Sequence, residues 1–95
     1  MDFRNKTTDN LFKAILSLKN MDECYLFFED VCTIKEISDI SNRFEAAKML
    51  SEKKSFSEIT QKTGMSTATI SRVNRCLLYG NGGYRMALNK TEKEN

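Results

Sequence analysis

The stretch from Ser55 to Leu77, SFSEITQKTGMSTATISRVNRCL, leaves the backbone few options, because it holds two helix starts separated by a single glycine. Ser55-Phe56-Ser57-Glu58 reads as a capping box, in which the Ser55 hydroxyl accepts a free backbone N–H and the Glu58 carboxylate accepts one in return. Ile59 falls inward one turn after Phe56, and Gly64 supplies a turn position where left-handed backbone costs little. Ser66 or Thr67 caps a second helix, along which Ile70, Val73 and Leu77 recur at i, i+3 and i+7 as one apolar stripe. Its other face carries Thr67, Ala68, Ser71, Arg72 and Arg75. This pattern predicts a helix-turn-helix over about 55–78, with a small, hydroxyl-rich, basic outer face on the second helix. Small residues at that N-terminus let the backbone approach base edges, and the helix end itself attracts phosphate oxygens. An ordinary αα-hairpin packed into a core shares the apolar spacing, its polar face then being a solvated one.

The rest of the chain is read the same way. Proline is absent and glycine is confined to Gly64, Gly80, Gly82 and Gly83, so only caps punctuate the chain before the turn and an all-α fold of about six helices is predicted. Thr7 to Lys19 places Leu11, Ile15 and Leu18 on one face with Phe12 and Leu16 beside them, capped by Thr8 or Asp9 and broken at Asn20. Asp22 to Cys32 follows with Cys24, Phe27, Phe28 and Val31 at i, i+3, i+4 and i+7. Thr33 to Glu36 is a second capping box, opening a longer helix to about Glu52 with Ile34, Ile37, Ile40, Phe44, Ala47 and Leu50 inward and Lys53 and Lys54 suited to its C-terminal dipole. Tyr84 to Asn89 allows one or two further turns, and Lys90 to Asn95 reads as a frayed end. Ninety-five residues suit a single domain spanning 1–95, yet a chain this short buries only about 60–65% of its unfolded surface. The apolar faces of helices over about 7–52 therefore predict cover from a second copy, a compact monomeric bundle being the alternative.

Charge and chemistry narrow the function. Between Asp22 and Glu45, seven acidic residues face two basic ones, a balance of −5; between Lys53 and Arg75, five basic residues face Glu58 alone, a balance of +4. A phosphate backbone would draw the second half and repel the first. Cys24, Cys32 and Cys76 lack metal spacing and the chain has no histidine, so neither a zinc site nor a disulfide framework is suggested, and Cys24 and Cys32 are expected as core hydrophobes. No carboxylate pair, Cys/His constellation or phosphate-cradling loop points to an enzyme, and no cofactor is expected. With no apolar run of signal or spanning length, a soluble, cytoplasmic protein without membrane contact is expected.

The run Gly64-Met65-Ser66-Thr67-Ala68-Thr69-Ile70-Ser71-Arg72, together with Arg43 and the order of helices, resembles the Trp repressor superfamily, in particular its small YerC/YecD group. The resemblance covers most of the chain. It implies an intertwined, all-α homodimer whose two reading heads stand about 34–36 Å apart, one DNA turn, and repressor-type transcriptional control. In the tryptophan-binding members the effector lies between an arginine of the third helix and one of the recognition helix, positions held here by Arg43 and Arg72. The resemblance thus implies a slot formed by Arg43, Thr69, Arg72, Val73 and Cys76 for a planar or anionic small-molecule corepressor. Val73 stands where those members have Gly and Cys76 where they have Ser, which argues against tryptophan itself. Arg43 could equally pair with Asp39 or Glu36 on its own helix.

The expected function is a sequence-specific regulator that binds double-stranded DNA as a homodimer on a near-palindromic operator. Ser66, Thr67, Ala68 and Ser71 would meet the duplex at the helix end and base edges, and Arg72, Arg75, Lys53, Lys54 and Lys62 would mostly contact phosphates. The alternative is a protein–protein interaction module that packs against another regulator without touching DNA.

Overall fold

The computed structural model describes residues 2–93, and among them it contains six helices and no strand. These are α1 (Lys6–Leu16), α2 (Met21–Val31), α3 (Ile34–Ser51), α4 (Phe56–Thr63), α5 (Thr67–Tyr79) and α6 (Gly83–Lys93). They fall into two compact units, one ending at Ile37 and one beginning at Ser38. No helix among the described residues is long and apolar enough to cross a membrane.

In the first unit the helices begin where asparagine side chains catch free N–H groups. Asn5, rather than Thr8 or Asp9, caps α1: its Oδ1 accepts the Thr8 N–H at 2.8 Å, which starts the helix earlier than expected. The helix also ends earlier, at Leu16, where the Ser17 hydroxyl donates to Ala14 O at 2.6 Å. Asn20 therefore opens α2 instead of breaking α1, with its Oδ1 accepting the Glu23 N–H at 2.9 Å. The box at Thr33 closes in both directions, Thr33 N–H to Glu36 Oε1 at 2.8 Å and Glu36 N–H to Thr33 Oγ1 at 3.1 Å.

The expected inward faces of this unit are covered only in part. No residue of α1 or α2 is buried. Ile15, Leu18, Cys24, Phe27, Phe28 and Cys32 are half-buried, so the two cysteines are not core residues, and the rings of Phe27 and Phe28 meet edge to face at 5.3 Å. Leu11, Phe12, Leu16, Val31 and Ile34 are exposed, Leu16 at 83% and Ile34 at 89%. Two eleven-residue helices have too little surface of their own to cover both apolar stripes.

The second unit holds the core: Ala46, Ala47, Ile59, Ile70, Val73, Leu77 and Leu88, with Phe44, Met49, Leu50, Phe56, Met65 and Tyr84 packed against it. Ala47, Phe44 and Leu50 point inward as expected, whereas Ile40 is exposed and Ala46, which periodicity did not single out, is fully buried. α3 stops in a Schellman motif. Lys54 N–H reaches Met49 O and Lys53 N–H reaches Leu50 O, both at 3.0 Å, with Lys53 at φ +66° in the left-handed region that usually calls for glycine. α6, at 11 residues, runs nearly twice the expected length: Leu88 anchors it in the core and the Thr91 hydroxyl donates to Ala87 O at 2.9 Å. Of the end expected to fray, residues 90–93 are helical and residues 94 and 95 lie outside the described residues.

Candidate nucleic-acid interface

The two helices of the motif are set by caps and one turn. Ser55 Oγ accepts the Glu58 N–H at 3.1 Å, starting α4, and Gly64 at φ +74° ends it, its N–H donating to Thr60 O at 2.8 Å. Thr63 braces this turn from inside: its hydroxyl donates to Ile59 O at 2.7 Å and accepts the Met65 N–H at 3.1 Å. Between the two candidate caps for α5 the structure selects Ser66, whose Oγ accepts the Thr69 N–H at 3.2 Å, and Thr67 is the first helical residue.

The partition of α5 follows its stripe. Ile70, Val73 and Leu77 are buried, and Ser66, Thr67, Ala68, Thr69, Ser71, Arg72, Arg75 and Cys76 are exposed. Lys62 is exposed in the last turn of α4, and Lys53 and Lys54 are exposed in the turn that precedes it. Every cation of the basic stretch is therefore open to solvent.

Behind this face lies a cleft of about 450 Å³ lined by Asp39, Asn42 and Arg43 of α3, Met65 of the turn, Thr69, Arg72, Val73 and Cys76 of α5, and Tyr84 of α6. It brings together Arg43, Thr69, Arg72, Val73 and Cys76, the slot residues expected from sequence, and leaves out the lysines. Val73 is buried in the core, so its branch forms part of the floor, and the space left is of ligand size. Four lining residues were not anticipated: Asp39, Asn42, Met65 and Tyr84. Asp39 and Asn42 stand one turn and one residue before Arg43 on α3, a spacing legible in the sequence, whereas Tyr84 depends on how α6 folds back onto α5. Burial raises the Tyr84 phenol above its ordinary value, the Arg43 charge pulls it down and the Cys76 thiol adds to the rise.

A family model described as Trp repressor protein matches residues 6–92, nearly the whole described chain. The chain belongs to the Trp repressor family. This family member is 53% identical over 90 residues to the uncharacterised protein YerC of Bacillus subtilis, covering 95% of this chain and 86% of YerC. Among solved structures, a TrpR-like protein from Eubacterium eligens superposes with a TM-score of 0.90 at 56% identity, covering 94% of this chain and 92% of that one. A candidate Trp repressor from Staphylococcus aureus gives 0.89 at 47% identity, with 94% and 89% covered. The six-helix architecture is thus that of the Trp repressor family, whose fold belongs to DNA-binding regulators rather than to enzymes.

Proposed function

We propose that this Trp repressor family member is a cytoplasmic, sequence-specific transcriptional regulator of repressor type, one helical DNA-binding domain per subunit, acting as a homodimer on a near-palindromic operator. The observation that carries this reading is the split of α5, with Ile70, Val73 and Leu77 inside while Thr67, Ala68, Ser71, Arg72 and Arg75 remain outside. A helix held by its apolar stripe, with its free N-terminus and a small polar face outward, can enter a major groove without rearranging the core. Thr67, Ala68 and Ser71 are the base-edge candidates, approached directly or through water. Ser66, Arg72, Arg75, Lys53, Lys54 and Lys62 meet the backbone, setting affinity and salt dependence.

The homodimer reading is supported by the apolar residues that a single chain leaves open on α1, α2 and the start of α3. The effector reading is supported by the cleft between Arg43 and Arg72, which suits a small-molecule corepressor.

Selection of bound sites from random DNA, with and without a metabolite extract, tests the reading. Recovery of a two-fold symmetric site supports it. Failure to retain any duplex, on random DNA or on heparin at moderate salt, rejects it in favour of a protein-interaction module.

A further inference from the structure

Gly64 sets α5 on a hinge that its surroundings do not hold. It takes φ +74°, and a Cβ at this position would meet open space, so no packed neighbour limits rotation about it. Only Met65 and Ser66 separate the glycine from Thr67, the first helical residue. The stripe of Ile70, Val73 and Leu77 holds α5 against the core, but apolar contact is non-directional and tolerates a tilt.

The Thr63 hydroxyl spans this hinge. It donates to Ile59 O at 2.7 Å and accepts the Met65 N–H at 3.1 Å, so one oxygen links the last turn of α4 to the chain beyond the glycine. The backward bond is ordinary for threonine in a helix, and α6 repeats it between Thr91 and Ala87 O. The forward bond is not required by either helix, because Met65 belongs to neither. Its two ends are well held: Ile59 is fully buried and Met65 packs against the same core. Thr63 is itself half-buried, which limits competition from water. Rotation about Gly64 must therefore distort a bond that, unlike apolar contact, has a preferred direction.

Magnitudes decide which contacts with a duplex would feel such a rotation. Ser71 stands about 6 Å along α5 from its start, and a tilt of about 10° moves it by about 1 Å. A short side chain reading a base edge tolerates about 0.5 Å. The long side chains of Lys53, Lys62, Arg72 and Arg75 absorb a shift of that size by changing rotamer, and a phosphate contact carries no sequence information.

We propose that Thr63 is the positioning residue of the reading helix: by bonding across Gly64 it holds α5 at one pitch, and so sets sequence discrimination rather than overall affinity for DNA. This rests on the DNA-binding reading above and assigns its specificity to a residue that does not touch the duplex.

Thr63→Val keeps the β-branched shape and removes the hydroxyl, whereas Thr63→Ser keeps the hydroxyl and removes the methyl. Both variants and the parent are titrated with the duplex recovered by site selection and with its scrambled counterpart. With helical circular dichroism unchanged, Thr63→Val is expected to bind the selected duplex about tenfold more weakly, the size of one hydrogen bond. Its affinity for the scrambled duplex and its salt slope are expected to match the parent's, and Thr63→Ser to restore discrimination. Without DNA, the Met65 amide is expected to exchange about tenfold faster in Thr63→Val than in the parent, which reads the hinge directly. A parent that does not distinguish the two duplexes overturns the DNA-binding reading and the Thr63 assignment together. A parent that distinguishes them leaves that reading standing, and the assignment alone is then overturned by any of four results. These are unchanged discrimination in Thr63→Val, equal loss on both duplexes, Thr63→Ser behaving as Thr63→Val does, and a Met65 amide that exchanges equally fast in variant and parent.

Discussion

Ser66 and Thr69 are joined twice: the Thr69 N–H donates to Ser66 Oγ at 3.2 Å, and their hydroxyls meet at 3.0 Å. Ser66 is the cap of α5, and Thr69 also lines the cleft, so the start of the proposed reading helix and the proposed effector site share a residue. Removing the cap leaves an orphan N–H in the first turn. Ser66→Ala is expected to cost about 1 kcal/mol in urea denaturation, with Ser66→Gly losing a smaller amount. Equal stability of Ser66→Ala and the parent would show that the cap does not hold the helix.

Lys53 is the second position where local structure and proposed function meet. Its left-handed backbone in the turn after α3 costs a non-glycine residue about 1–2 kcal/mol, offset in part by the greater unfolded-state entropy of glycine. Lys53→Gly is therefore expected to raise stability by about 0.5–1 kcal/mol. If Lys53 meets a phosphate, the same substitution weakens DNA binding alike on matched and scrambled sites and lowers the salt slope by about one. Thr67→Ala or Ser71→Ala should instead alter site preference. A salt titration of these variants on both duplexes separates the outcomes, and uniform loss in all of them contradicts the division into phosphate and base contacts.

Caps and stripes were legible in the sequence where one signal dominated. Gly64, with a left-handed turn to fill, and the Ile70, Val73, Leu77 stripe could be read directly, and both stand in the structure. Asn5 and Asn20 were harder, because Thr8, Asp9 and the polar run around Asn20 compete as caps and only tertiary context selects among them. Ile34 and Ile40 fit an inward periodicity, but periodicity identifies an apolar face without saying which chain covers it. The Arg43 and Arg72 cleft followed from family resemblance, whereas Tyr84 was hidden because its position depends on the close approach of Gly80 to Cys76 and on the Arg85 bond to Leu77. These contacts span only four and eight residues, but they depend on the turn that folds α6 back onto α5, which apolar spacing does not encode.

Glu36 gives a titratable handle on the start of α3. Its carboxylate accepts the Thr33 backbone N–H, and that bond, with a smaller contribution from the Thr33 side chain, lowers its pKa below the ordinary 4.5, while the Glu36 backbone N–H donates in return to Thr33 Oγ1. A depressed carboxylate contributes stability that is present above the unfolded value and lost as pH falls through the folded one. Stability is therefore expected to decline below pH 4.5, in a component that Glu36→Gln removes. Because the group is exposed, the effect is small, and carboxyl titration by NMR is the sensitive measurement. A Glu36 midpoint at or above the ordinary value would show that the box does not close in solution.

Ile34 and Ile70 distinguish the two ways an apolar residue can matter in this chain. Ile70 is fully buried in the core of a single chain, so Ile70→Ala is expected to cost about 2–5 kcal/mol through lost packing and the cavity left behind. Ile34 is 89% exposed, and in a monomer Ile34→Ser would change stability by less than about 0.5 kcal/mol. If a second copy covers it, the same substitution raises the dimer dissociation constant and lowers Tm, and the parent's Tm climbs with protein concentration. Leu16, 83% exposed on α1, should behave as Ile34 does. Sedimentation equilibrium of the parent, Ile34→Ser and Leu16→Ser across roughly a hundredfold concentration range reads the dissociation constant, and thermal melts over the same range read Tm. A parent that sediments as one chain throughout, with a Tm indifferent to concentration, would remove the homodimer from the proposal and leave the exposed apolar faces to some other partner.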